Sequence, residues 1–307
     1  MNDSRQAFEG VGVALATPFR RGAVDLPALS RLTDHLVEKG VQAFYPCGCT
    51  GEATSLTREE RSRVISAVVE AVRGRAAVIA GTGTAVTDET IELSREAIRL
   101  GADGVMVITP YSIKPTQEGM IAHYRAVADS ISKPMVLYNV PGRTGASIAP
   151  ETVARLAEHP MILAIKEASG SLDQSSAIRT RCSITILAGD DSLFLPLLAV
   201  GARGVVSVAG HLVPSEMVTL LKHYRGGRVQ EAEAMHRRLY PIFRALFLET
   251  SPAPLKHALE RLGFTSGELR LPLVPVRPET ATAIDRAMEE VGIAGLAGVG
   301  GASRATS

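Results

Sequence analysis

Lys166 ends the apolar run Met161-Ile162-Leu163-Ala164-Ile165 and is followed at once by Glu167-Ala168-Ser169-Gly170. Such a run reads as a buried strand, so the side chain at its end lies where strand gives way to loop. Burial there disfavours an ammonium and favours the neutral amine. A neutral amine attacks carbonyl carbon and forms a Schiff base. The competing reading is a lysine turned outward and paired with Glu167. On this run alone that reading has precedence, because most lysines are solvated.

Other reactive side chains stand at similar places. Tyr138 ends the run Met135-Val136-Leu137, and its phenol can pass protons between an amine, a carbinolamine and a substrate atom. A half-buried strand tyrosine satisfied by backbone is the commoner case. Arg143 sits in Pro141-Gly142-Arg143-Thr144-Gly145, where its planar fork suits a carboxylate; the bland alternative is a loop arginine paired with a surface acid. In Gly48-Cys49-Thr50-Gly51-Glu52, the two glycines free the backbone to point N–H groups at an anion, and Thr50 adds a hydroxyl. A tight turn before a capped helix explains the same glycines, and Glu52 reads as polar support for the loop. Tyr111 follows Thr109-Pro110, and Gly189 precedes Asp190-Asp191. His211 has no acid or nucleophile beside it and reads as structural, as do His123, Asp190 and Asp191.

These residues need a scaffold that gathers strand ends. Short apolar runs at 11–16, 43–46, 77–80, 104–108, 135–139, 162–166, 184–188 and 204–208 alternate with helical patterns such as 58–72, 88–100, 117–130 and 150–158. Thr57 with Glu60 forms a capping-box signature, and Gly101 a helix stop. Eight strand–helix units predict an α/β fold, a TIM (β/α)8 barrel whose strand C-termini share one mouth. From about residue 228 the strand pattern stops, and 230–248, 254–262 and 278–291 read as helices. The expected division is a barrel over 1–225, a C-terminal helical extension over 226–292 and a disordered tail over 293–307, where Gly, Ala, Ser and Thr dominate.

Composition narrows the class of function. With 46% hydrophobic and 21% charged residues in 307, the chain suits a globular protein with a large core. A net charge of +1 gives no reason to expect a nucleic-acid partner or an anionic membrane. No apolar run is long enough to span a bilayer, and the N-terminus lacks a signal-peptide core. Cys47, Cys49 and Cys182 are too few and too odd in number for a disulfide scaffold, and the seven histidines are scattered. The expectation is a cytoplasmic enzyme without metal.

Three separated stretches, Gly48-Cys49-Thr50-Gly51-Glu52, Tyr138-Asn139-Val140-Pro141-Gly142-Arg143-Thr144-Gly145 and Ile165-Lys166-Glu167-Ala168-Ser169-Gly170, together resemble the dihydrodipicolinate synthase / N-acetylneuraminate lyase family. Ala80-Gly81-Thr82-Gly83, Thr109-Pro110-Tyr111 and Ala188-Gly189-Asp190-Asp191 are also in register, and the likeness runs from Gly10 to about Val276. The resemblance implies a Schiff base between Lys166 and the C2 carbonyl of pyruvate or another 2-oxo acid, with no cofactor. It implies that Cys49 and Thr50 hold the carboxylate and that Tyr138 shuttles protons. Arg143 is characteristic of the dihydrodipicolinate synthase branch, where it grips aspartate semialdehyde. The implied catalytic set is Lys166, Tyr138 and Thr50. The implied substrate-binding set is Cys49, Thr50, Gly51, Tyr111, Arg143, Gly189 and Val206. The family usually assembles as a tetramer or dimer, so a homo-oligomer is expected.

Two positions depart from that branch. Cys49 stands where it has a threonine, and Ser112 where it has a second tyrosine reaching into a neighbouring subunit. A thiol is a weak hydrogen-bond partner and serine is short, so the proton relay with Tyr138 is altered. Arg58 and Arg61 stand where histidines can bind feedback lysine, so that regulation is not expected. The leading expectation is a lyase condensing pyruvate with L-aspartate 4-semialdehyde, as 4-hydroxy-tetrahydrodipicolinate synthase does. The rivals are a catabolic paralogue (a 2-oxo-3-deoxy sugar-acid dehydratase or aldolase, or a hydroxypyrroline-carboxylate deaminase) and a non-catalytic metabolite-binding protein.

Overall fold

The short apolar runs pair side by side, all parallel, and the last closes on the first. The computed structural model describes residues 8–293. In chain order its strands are β1 (Gly10–Val13), β2 (Phe19–Arg20), β3 (Ala23–Val24), β4 (Ala43–Phe44), β5 (Ala77–Gly81), β6 (Gly104–Ile108), β7 (Met135–Asn139), β8 (Ile162–Glu167), β9 (Thr185–Ala188) and β10 (Gly204–Ser207). The closed order is β1-β10-β9-β8-β7-β6-β5-β4, while β2 and β3 form a separate antiparallel hairpin. This is a TIM barrel with a C-terminal helical extension.

Each barrel strand is buried on both faces, and period-two alternation sorts its side chains between two cores. Ala43, Ile79, Met106, Val136, Tyr138, Ala164, Leu187 and Val206 fill the barrel interior. Their neighbours Phe44, Val78, Val105, Leu137, Ile165, Ile186 and Val205 pack outward against the helices. Lys166 is two residues past Ala164, so the same alternation turns it inward. The β7–β8 register sets Tyr138 directly beside Lys166.

The helices begin and end where local chemistry allows. Thr57 and Glu60 form the expected capping box for Arg58–Val72. Gly101, at φ +98°, takes the chain out of Thr87–Arg99 in a conformation that favours glycine. Strand ends differ from expectation. Of the run expected at 11–16, β1 keeps regular strand form to Val13; Ala14 N and Leu15 N still bond Ser207 O and Tyr45 O, and the Ala16 N–H goes to the His211 ring at 3.1 Å. The β2–β3 hairpin was not expected; Arg21 and Gly22, at φ +54° and +79°, supply the left-handed pair its tight turn needs. The stretch that carries Arg143 is a short helix, Pro141–Thr144, closed by Gly145 at φ +71°.

After the helix Pro214–Arg225 come Val229–Ala245, Ala253–Arg261 and Pro278–Glu290. Leu239, Ile242, Phe243, Leu255, Leu259 and Ile284 from these helices join the outer core. The tail expected over 293–307 falls, apart from Ile293, outside the described residues.

Barrel closure passes through a glycine pair. Gly204 of β10 lies in register with Gly10 of β1, and a Cβ on Gly204 would collide with the Gly10 backbone. Gly204→Ala should therefore lower stability by about 1–3 kcal/mol, the usual cost of overpacking. Urea denaturation reads this directly; an unchanged midpoint would mean that the closing strands can part without loss.

Candidate active site

β8 carries Lys166 into the barrel with only 5% of its surface exposed. Burial pushes its amine down to about 8, with the Cys49 sulfur and the Asp190 and Asp191 carboxylates pulling the other way. The outward alternative does not hold. Glu167 faces away and is buried, accepting hydrogen bonds from Ser169 N at 2.7 Å and Asn139 Nδ2 at 2.9 Å. It is not paired with Lys166.

Tyr138 is the nearest reactive neighbour, with the Lys166 Nζ 4.3 Å from its ring centroid. Burial holds the phenol well above its ordinary range, the adjacent Cys49 adds to this, and the Arg143 charge opposes it. A phenol held neutral and an amine that gives up its proton near pH 8 thus sit together in the barrel interior. The Tyr138 carbonyl is occupied by Thr109, through its N–H at 3.0 Å and its hydroxyl at 3.1 Å. That bond anchors the strand end and leaves the phenol oxygen for chemistry.

The turn after β4 brings the third element. Cys47 and Glu52 bracket it at φ +56° and +52°, a left-handed backbone that costs a non-glycine residue about 1 kcal/mol. The Gly51 and Glu52 N–H groups are spent inside the turn, on Gly48 O and Cys49 O at 3.1 Å each. The Cys49 and Thr50 N–H groups and the Thr50 hydroxyl have no partner among the described residues. Two backbone donors and one hydroxyl are the groups a small carboxylate needs. Gly51 is required, since a Cβ there would press on Leu15 O and Cys47 N at 3.0 and 3.1 Å.

A cavity of about 640 Å³ opens at this end of the barrel. Of the expected site residues, Cys49, Tyr111, Tyr138 and Arg143 line it, and Ser112 does too. Lys166 and Thr50 are almost wholly buried and do not contribute to its wall. Gly189 and Val206 are not brought to it either. The Gly189 N–H bonds Glu167 O at 2.7 Å, and Val206 is fully buried among the interior apolar residues. Arg143 is exposed and donates from Nη2 to Ser251 O at 3.1 Å, leaving most of its fork free.

His211 and Asp191 are engaged in contacts that hold the barrel together. His211 Nδ1 donates to Val208 O at 2.8 Å while Nε2 accepts from Ala16 N, and burial pushes the ring down to about 4. Asp191 accepts from Ser207, Val208 N and Ala209 N, capping the end of β10. Other contributors escaped sequence reading altogether. Asn139 and Glu167 lock the loop behind Lys166, Lys256 pairs with Glu52, and Thr17 donates to Gly51 O at 2.8 Å. All are contacts across long sequence separations, and no local pattern signals them.

Residues 7–291 match the model of the dihydrodipicolinate synthetase family. The 4-hydroxy-tetrahydrodipicolinate synthase of Pelobacter propionicus is 48% identical over 288 residues, covering 93% of this chain and 99% of that protein. That of Geotalea uraniireducens is 47% identical over 288 residues, with the same coverage. The crystal structure of dihydrodipicolinate synthase from Aquifex aeolicus is 40% identical and superposes with a TM-score of 0.92, covering 93% of this chain and 99% of that one.

If burial sets the amine's state, modification of Lys166 by an amine-selective reagent should rise with pH around a midpoint of about 8. Peptide mass mapping across a pH series measures it. A midpoint near the ordinary 10.5 would contradict the burial argument.

Proposed function

Because the chain belongs to the dihydrodipicolinate synthetase family, we propose that it is a lysine Schiff-base lyase that condenses pyruvate with L-aspartate 4-semialdehyde, acting as a 4-hydroxy-tetrahydrodipicolinate synthase. Relatives 44–48% identical over nearly the whole chain carry that name. The observation that carries the reading is the buried Lys166 amine beside the Tyr138 ring, at 4.3 Å from Nζ to centroid.

The chemistry runs as follows. The Lys166 amine attacks C2 of pyruvate, and the carbinolamine loses water to give an imine. Tyr138 gives and takes the protons of this exchange, because its phenol stays protonated until a base draws on it. Loss of a proton from C3 makes an enamine, whose C3 forms a bond to the aldehyde carbon of the second substrate. The semialdehyde's own amino group then attacks the imine carbon, closes the ring and frees Lys166. Throughout, the Cys49 and Thr50 N–H groups and the Thr50 hydroxyl hold the pyruvate carboxylate, and Arg143 takes the carboxylate of the semialdehyde. The Cys49 thiol, beside Tyr138, and the Ser112 hydroxyl, on the cavity wall, take the places of longer or stronger relay groups.

Catalysis belongs to the barrel, residues 1–225, with 226–292 as its helical partner domain. The reading includes a homo-oligomer, dimer or tetramer. It is supported by Ile113 and Leu271, 64% and 81% exposed next to cavity-lining residues, which are large apolar side chains suited to a subunit contact. It also includes a cytoplasmic location, suited to three unpaired cysteines. Among the described residues no helix is long and apolar enough to cross a membrane.

Incubation with pyruvate and borohydride should add the reduced adduct's mass to the peptide bearing Lys166, and Lys166→Met should abolish it. Tyr138→Phe should lower turnover about 10²–10⁴-fold, the range for a lost acid–base group, while the adduct still forms. Cys49 and Ser112 favour one rival, a catabolic paralogue. A panel with a 2-oxo-3-deoxy sugar acid and a hydroxypyrroline carboxylate separates the two. Turnover of either, with none of the semialdehyde, would replace the synthase reading.

A further inference from the structure

Glu52 follows Thr50 by two residues and lines the cavity, yet its carboxylate turns into the protein. There it meets the ammonium of Lys256, from the helix Ala253–Arg261; the two side chains are 2% and 1% exposed. Glu52 Oε1 has no hydrogen-bond partner, so only the facing ammonium satisfies it, while Oε2 accepts from Arg270 N at 3.1 Å. Lys256 has a second bond, to Glu268 O at 2.8 Å, and its Nζ lies 4.1 Å from the Phe19 ring centroid. Arg270 pins the same loop further on, through Ser55 O at 2.8 Å and Glu60 at 2.6 and 2.5 Å.

We infer that Lys256 is a positioning residue for the 2-oxo acid subsite: by holding Glu52 it sets the turn whose free Cys49 and Thr50 N–H groups receive the substrate carboxylate. The inference rests on the function proposed above. Its physical ground is the backbone at Glu52, held at φ +52°, where a non-glycine residue stays only when its surroundings over-determine it. A buried ion pair is weak support for stability, since apolar side chains of the same volume serve a core equally well. Such side chains would not fix the carboxylate end of Glu52, and through it the turn. The C-terminal extension thereby acts on substrate binding without touching substrate.

Two variants test this. K256M removes the ammonium, and E52Q/K256M also removes the charge that would otherwise be stranded, so that a folded protein is obtained even where the single change unfolds it. In each, the pyruvate concentration giving half-maximal borohydride trapping on Lys166 is measured well below the melting temperature, with the KM for the semialdehyde alongside. The expected result is a rise of about tenfold or more for pyruvate, in line with the cost of small misplacements. The semialdehyde KM should stay unchanged, and trapping at saturating pyruvate should be complete. An unchanged pyruvate dependence in the folded double variant overturns the inference, as does an equal rise for both substrates, which marks general loosening. No adduct in the unaltered protein overturns the proposed function, and this inference with it.

Discussion

The dehydration of one amine is the constraint on which the site depends. Moving the Lys166 pKa from 10.5 to about 8 corresponds to roughly 3 kcal/mol of disfavour for the ammonium. Below about pH 8 that penalty falls on the native state. It fades as pH rises from about 8 and is gone above 10.5, where the amine is neutral whether folded or not. Stability is therefore given up below about pH 8 to keep this amine out of water. The barrel tolerates this because the amine is surrounded by an apolar interior and a tyrosine ring, and because Asp190 and Asp191 limit the shift.

Position follows from alternation and register. Ala164 and Lys166 face inward while Ile165 and Glu167 face outward, and parallel pairing aligns Tyr138 with Lys166. A slip of one residue would exchange Lys166 for Glu167 and leave an acid in the barrel. Asn139 and Ser169 guard against that slip by engaging the Glu167 carboxylate on the other face. Behind the turn after β4, the helix Ala253–Arg261 holds Glu52 through Lys256, and the connecting segments at 250–251 and 270–273 wall the cavity. Recognition and chemistry are thus supported from opposite sides, and a change in one need not disturb the other.

Much of this was legible in the sequence, and the physics explains which part. Apolar runs of four to six residues mark strands buried on both faces, so the eight barrel strands could be found and counted. Thr57 with Glu60, and Gly101, marked helix ends because caps are local. The direction of Lys166 was not legible from its own run, since inward and outward readings share the same residues. The first strand was expected to run to 16, but the Ala16 N–H bonds the His211 ring, a partner 195 residues away that no local pattern signals. The Arg21-Gly22 hairpin lies in a short polar stretch that sends no strand signal. Glu52 could be read as loop support, but its partner Lys256 is brought to it only by the packing of the last helices.

The most direct measurement of the central claim is a crystal soaked with pyruvate. The account predicts continuous density from the Lys166 Nζ to C2 of the ligand, with the carboxylate against the N–H groups of Cys49 and Thr50. An intact keto acid lying elsewhere in the cavity, with Lys166 unmodified, would contradict it.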